Sequence, residues 1–217
     1  MFPLPLLDPH NAPKRVLALG AHADDIEIGC GGTLLRMAAD NPDLEVKWVV
    51  FCAPGERERE ARTSAAAFLQ GVASAEVVVK SHRDGFLPYS GAAVKDEFEE
   101  LKRGFTPELV LTHYREDRHQ DHRLISDLTW NTWRNHLILE YEIPKYDGDF
   151  GSPNLFVPLP EVTVDRKIVL ARQHFPSQAG KHWFTADLLK AVPRIRGMEC
   201  AAPSGYAEAF YCRKAIL

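Results

Sequence analysis

Cysteine is scarce in this chain. Four residues in 217 (Cys30, Cys52, Cys200 and Cys212) lie far apart, with no C-x-x-C pair. They read as reduced, mostly buried thiols of a cytoplasmic protein rather than a disulfide framework. There is no Lys/Arg-rich run, and the formal net charge is −4. Nucleic acid and anionic membrane surfaces are therefore unsupported as partners. No apolar run is long enough to span a bilayer. The opening "MFPLPLLDPHNAPK" holds four prolines and reads as an irregular arm, not a signal peptide. "GCGGT" (29–33) has neither the G-x-G-x-x-G spacing nor the lysine of a phosphate loop, which argues against a nucleotide site. Internal repeats and low-complexity linkers are also missing, so residues 1–217 read as one domain.

What is present is an ordinary globular composition, 45% hydrophobic and 26% charged, enough to bury a core. Short apolar runs at 15–21, 44–53, 74–80, 107–113, 137–143 and 154–159 read as strands. Segments 31–40, 56–71, 93–104 and 122–136 read as helices between them, with 164–175 and 186–197 following. Strands alternating with helices predict an α/β fold of three layers around a mostly parallel sheet. In such sheets ligands bind beyond the carboxyl ends of the strands.

Two polar clusters fall at those ends. After the first strand come His22, Asp24 and Asp25; after the fourth, "THYREDRHQDHR" (112–123) supplies His113, Glu116, Asp117, His119, Asp121 and His122. Alone, the first is explained by a polar turn with an aspartate helix cap, the second by a solvated loop. Together they place imidazoles and carboxylates on one sheet edge. Two His, one Asp and an open position make a catalytic metal arrangement, not a closed structural one. A spare carboxylate beside it could take a proton from water. A cation would also offset the repulsion between adjacent aspartates.

These residues carry a resemblance. "AHADDIEIGCGGT" is similar to the A-H-P-D-D…G-G-T signature of the PIG-L/LmbE-type zinc-dependent N-deacetylases, and "DRHQDHR" to their H-P-D-H. "RDGFLP" (83–88), "KIVLARQHFPSQ" (167–178) and "GYAEAF" (205–210) extend it along the chain. Ala23 and Gln120 replace prolines at positions that supply no ligand. Ile26 stands where many members have Glu, with Glu27 next. The resemblance implies a Rossmann-like, LmbE-like fold and hydrolysis of an N-acetyl sugar or a related small amide. It implies that His22, Asp25 and His122 bind Zn2+, a set that also suits Fe2+. Asp24 would be the general base, and His119 would donate to the developing oxyanion. Asp121 would hold the ring of His119 or His122. Family members commonly assemble into homo-oligomers, although the sequence sets no such state.

Spacing does not decide which aspartate binds metal, so the exchange of Asp24 and Asp25 stays open. Arg57 or Arg59 is a candidate grip on substrate, against surface pairs with Glu60 or Glu56. Asp84 could hold sugar hydroxyls, against a turn aspartate before Gly85. Two other functions stay in view: a non-catalytic Rossmann-like binding protein, and a metal-dependent amidase acting on a different amide.

Overall fold

The computed structural model describes residues 12–216, so most of the expected proline-rich arm lies outside the described residues. The run that reads as the first strand is β1 (Arg15–His22). It is followed by α1 (Asp25–Asp40), β2 (Glu45–Cys52), α2 (Glu56–Phe68), β3 (Ser74–Val79) and α3 (Gly91–Gly104). Then come β4 (Leu109–His113), α4 (Gln120–Thr132), β5 (Leu137–Tyr141), β6 (Leu155–Pro158), α5 (Glu161–His174), α6 (Ala186–Glu199) and β7 (Ala207–Cys212). Single 3₁₀ turns precede α3 and follow α5.

The described strands form a sheet of order β3-β2-β1-β4-β5-β7-β6. The first five are parallel, and β7 runs antiparallel to both β5 and β6. Side chains alternate along β1 into two cores. Val16 and Ala18 join Trp48, Phe68 and Tyr141 on one face. Leu17, Leu19 and Ala21 join Phe51, Phe98 and Trp133 on the other. A strand buried on both faces needs a continuous apolar run, which is what "VLALGA" provides. Strand order reverses between β1 and β4, so the crevice of the sheet opens where His22 and His113 end their strands. No described helix is long and apolar enough to cross a membrane, and the four cysteines are free.

The structure corrects two expectations. The first helix begins at Asp25, not near residue 31, and its glycines lie inside it. They serve close packing: a Cβ at Gly29 would stand 2.1 Å from the Tyr141 ring, and one at Gly32 2.5 Å from Leu159. The closing segment, read from sequence only as a family likeness, is strand β7. Its Glu208 is buried and accepts the Gly32 and Thr33 N–H groups at 2.8 and 2.6 Å. Lys167 of α5 pairs with Glu208 at 2.6 Å and donates to the Ile28 carbonyl at 2.7 Å. Two remote segments, α5 and β7, thus clamp α1 from behind, and both aspartates stand at the start of α1.

Candidate active site

His22 ends β1, and Asp24 and Asp25 open α1. Asp24 holds the N-cap position, yet its side chain makes no cap bond, so the bland explanation for it fails. Its Oδ1 meets the Arg57 guanidinium at 3.0 Å. Its Oδ2 is buried and has no protein donor. Asp25 Oδ2 instead accepts the His22 N–H at 2.6 Å, which folds the turn back on itself.

From the other strand, His122 lies in the first turn of α4 and His119 caps that helix. Three donor atoms converge. His22 Nδ1 is 3.1 Å from His122 Nε2 and 3.3 Å from Asp25 Oδ2, and His122 Nε2 is 3.5 Å from Asp25 Oδ2. Ligands about 2.0–2.1 Å from a tetrahedral zinc stand about 3.3–3.4 Å apart, so the triangle has the edges of such a site. The remote nitrogens face carboxylates, as outer partners of metal-bound imidazoles do. His22 Nε2 is 3.0 Å from Asp84 Oδ1 and 3.3 Å from Asp121 Oδ2. His122 Nδ1 is 2.9 Å from Asp117 Oδ2.

Other donors also converge: His22 with His119 and His122, His22 with Cys52 and Asp121, and Asp25 with His113 and His122. Burial pushes the Cys52 thiol up to about 12, which makes it a poor ligand. His113 stacks on His122 with ring centroids 3.9 Å apart, but its Nε2 already accepts the Ala21 N–H at 2.9 Å. The chemistry of the His22, Asp25 and His122 set fits zinc or ferrous iron best.

Electrostatics agree with that fit. Burial opposes ionisation of Asp25, but His122, His113 and His22 outweigh it and hold the carboxyl well below its usual range. Burial also opposes charge on His22, but Asp25, Asp121 and Asp84 hold its ring well above the imidazole range. Burial lowers His122 to about 4, aided by His113. Burial raises Asp24, with Arg57 opposing and Asp25 adding to the rise. Burial also pushes Glu27 well up, with Ser64 opposing.

A cation entering the triangle must displace the proton that the carboxylates hold on His22. Zinc binding at pH 7 is therefore expected to release about one proton, and affinity is expected to weaken as pH falls. Calorimetry in two buffers of different ionisation enthalpy measures this. A binding heat independent of buffer contradicts it.

The structure thus gathers eight of the residues singled out from sequence, with some contacts other than expected. The Asp121 carboxylate does not hold the ring of His119 or His122; only the residue's backbone N–H reaches His119 Nδ1, at 3.3 Å. Its oxygens accept the Gly85 and Leu87 N–H groups at 2.7 and 3.1 Å and face His22. The residue on the His122 ring is Asp117, which the sequence places in the cluster without assigning it a role. Its other oxygen accepts the His119 N–H at 2.8 Å. The signal was an acid five residues before a ligand candidate, unreadable beside Glu116 and Asp121. Arg57 does pair with Glu60, at 2.8 Å, but it also reaches Asp24 and donates to Ser177 Oγ at 3.0 Å. Asp84 approaches His22 while its side chain stays 72% exposed.

With this geometry in place, comparisons place the chain among known proteins. A family model described as PIG-L: GlcNAc-PI de-N-acetylase matches residues 17–133, a span that contains both clusters. The uncharacterized deacetylase YaiS of Escherichia coli K12 is 26% identical over 180 residues, covering 78% of this chain and 95% of that one. The inhibitor-bound N,N'-diacetylchitobiose deacetylase of Pyrococcus horikoshii superposes with a TM-score of 0.75 at 21% identity, over 95% of this chain and 86% of that one. The 4-carboxy-2-hydroxymuconate hydratase GalB of Pseudomonas putida KT2440 has a TM-score of 0.69 at 17% identity, over 94% and 98%. At such identities the two structures speak for the fold alone.

Proposed function

The chain belongs to the PIG-L family of GlcNAc-PI de-N-acetylases, and on that premise we propose that it is a zinc-dependent hydrolase removing acetyl from an N-acetyl sugar. The observation that carries this reading is the triangle of His22 Nδ1, Asp25 Oδ2 and His122 Nε2, with edges of 3.1–3.5 Å. Zinc held by these three atoms, or ferrous iron in its place, would supply Lewis-acid polarisation of the amide carbonyl and the attacking water.

The remaining steps fall to this chain's own residues. Asp24 takes a proton from the attacking water through its unpartnered Oδ2, while Arg57 fixes Oδ1. His119 Nδ1 accepts the Asp121 N–H at 3.3 Å, which leaves the ring proton on Nε2. Burial, with His22 adding, keeps His119 below the usual imidazole range and so neutral. Its Nε2–H is then a donor for the oxyanion. Asp24 returns its proton to the leaving amine, which departs poorly unprotonated. Asp121 anchors the turn at 85–87 behind His22. Asp84 faces sugar hydroxyls with its exposed carboxylate, and Arg57 faces the substrate while holding Asp24.

GalB carries a hydratase reaction on a similar fold, so fold alone does not choose the chemistry. The family match across both clusters favours amide hydrolysis. The test is free-amine release by zinc-loaded protein from N-acetylglucosaminides, diacetylchitobiose and malate conjugates of N-acetylglucosamine. Equal release of amine and acetate from at least one is expected, abolished by chelator and restored by zinc. Cleavage of other small amides only would reassign the substrate. Failure to bind metal would leave the non-catalytic binding protein.

A further inference from the structure

The loop after β5, residues 142–150, carries a lysine built into the support of the donor triangle. Lys145 Nζ is 2.8 Å from Asp117 Oδ2, 2.6 and 2.7 Å from the two oxygens of Asp149, and 3.3 Å from the Ile143 carbonyl. An ammonium has three protons to donate, and these neighbours take them all. The side chain is only 12% exposed. Lys145 is therefore not available to grip a substrate.

One of its partners is the oxygen that matters. Asp117 Oδ2 is the same atom that holds Nδ1 of His122. Asp149 in turn accepts the Arg118 N–H at 2.7 Å, closing a ring between the loops that follow β4 and β5. Without the ammonium, Asp117 and Asp149 would be two buried carboxylates left to repel one another in a medium of low dielectric. Asp117 would then lose the restraint that keeps Oδ2 on the imidazole. The same loop bears Tyr146, which is 73% exposed and stands edge-on to His182 at 5.0 Å.

We propose that Lys145 is a positioning residue for His122, and that through it the loop after β5 sets how tightly the site holds its cation. Lys145 acts through Asp117 and touches no reacting atom. The proposal rests on the metal reading above. A lysine that only holds the loop in place would leave metal affinity unchanged when lost.

The test uses the full chain and Zn2+ alone, with affinity read by competition against a chromogenic chelator. Lys145→Met is expected to weaken zinc binding roughly 10–100-fold, the usual cost of losing an outer partner. Zinc should protect the amides of 145–150 from hydrogen exchange in the wild type and much less in the variant. Tyr146→Ala, on the same loop but outside the ring, should bind zinc as the wild type does. A folded Lys145→Met protein with wild-type zinc affinity overturns the proposal. If that variant does not fold, Lys145→Gln replaces it: weakened binding supports the proposal and unchanged binding overturns it. A wild-type protein that takes up no divalent metal contradicts the metal reading itself, whereas an unchanged variant beside a zinc-binding wild type contradicts only the role of Lys145.

Discussion

Asp24→Asn is expected to lower kcat by roughly 10²–10⁴-fold, the usual contribution of a positioned general base, while zinc stoichiometry stays at the wild-type value. Asparagine keeps the shape of the side chain and can still accept from Arg57. It cannot take a proton. Asp24 is buried with one oxygen lacking any donor, and burial raises its proton affinity. A fold gains little from such an arrangement, whereas a base needs it. The melting temperature of the variant should therefore equal or exceed that of the wild type, as is common when a strained catalytic group is removed. Steady-state kinetics and metal analysis on one preparation decide the matter. Loss of zinc from Asp24→Asn would mean that the two aspartates have each other's roles.

Asp25→Asn should show the complementary pattern. Zinc affinity is expected to fall by more than the roughly 10–100-fold that an outer partner costs, and turnover should vanish with the metal. Asp25 Oδ2 is the one oxygen within 3.5 Å of both His22 Nδ1 and His122 Nε2 among the contacts described here. Three imidazoles keep it ionised against the cost of burial. An amide lacks the charge that makes a carboxylate a zinc ligand. Circular dichroism checks the fold, because the same oxygen also accepts the His22 N–H. Zinc bound to folded Asp25→Asn with wild-type affinity would remove Asp25 from the ligand set.

Much of this was readable before any coordinates. Four of the five parallel strands, β1, β2, β4 and β5, were legible because each is mostly buried and so is largely apolar, as β1 is. The edge strand β3 is exposed or half-buried and was legible from its β-branched run. Their ends pointed to the two clusters, since side chains at strand termini need no long-range partner to be recognised. The start of α1 was not legible. Gly29 reads as a loop residue and Gly31 and Gly32 as the glycine-rich start of a helix, and the reason for all three lies in Tyr141, Phe68 and Leu159, far away in sequence. Strand β7 was missed for a similar cause. Its Glu208 looks wrong for a buried strand until Lys167 and the N–H groups of α1 surround it. Asp117 and Lys145 were invisible as a pair because their contact joins two loops without hydrophobic period. Local pattern thus gave the scaffold and the chemical groups, and tertiary closure determined which acid supports which imidazole.

The chemistry of the site turns on where the cation sits. Anomalous diffraction at the zinc absorption edge, from crystals of the zinc-loaded protein, locates it. The expected result is one ion about 2.0–2.2 Å from His22 Nδ1, Asp25 Oδ2 and His122 Nε2, with Asp24 Oδ2 outside coordination distance. An ion held instead by Cys52 and Asp121, or by Asp24 in place of Asp25, would contradict it, as would a zinc-soaked site with no ion at all.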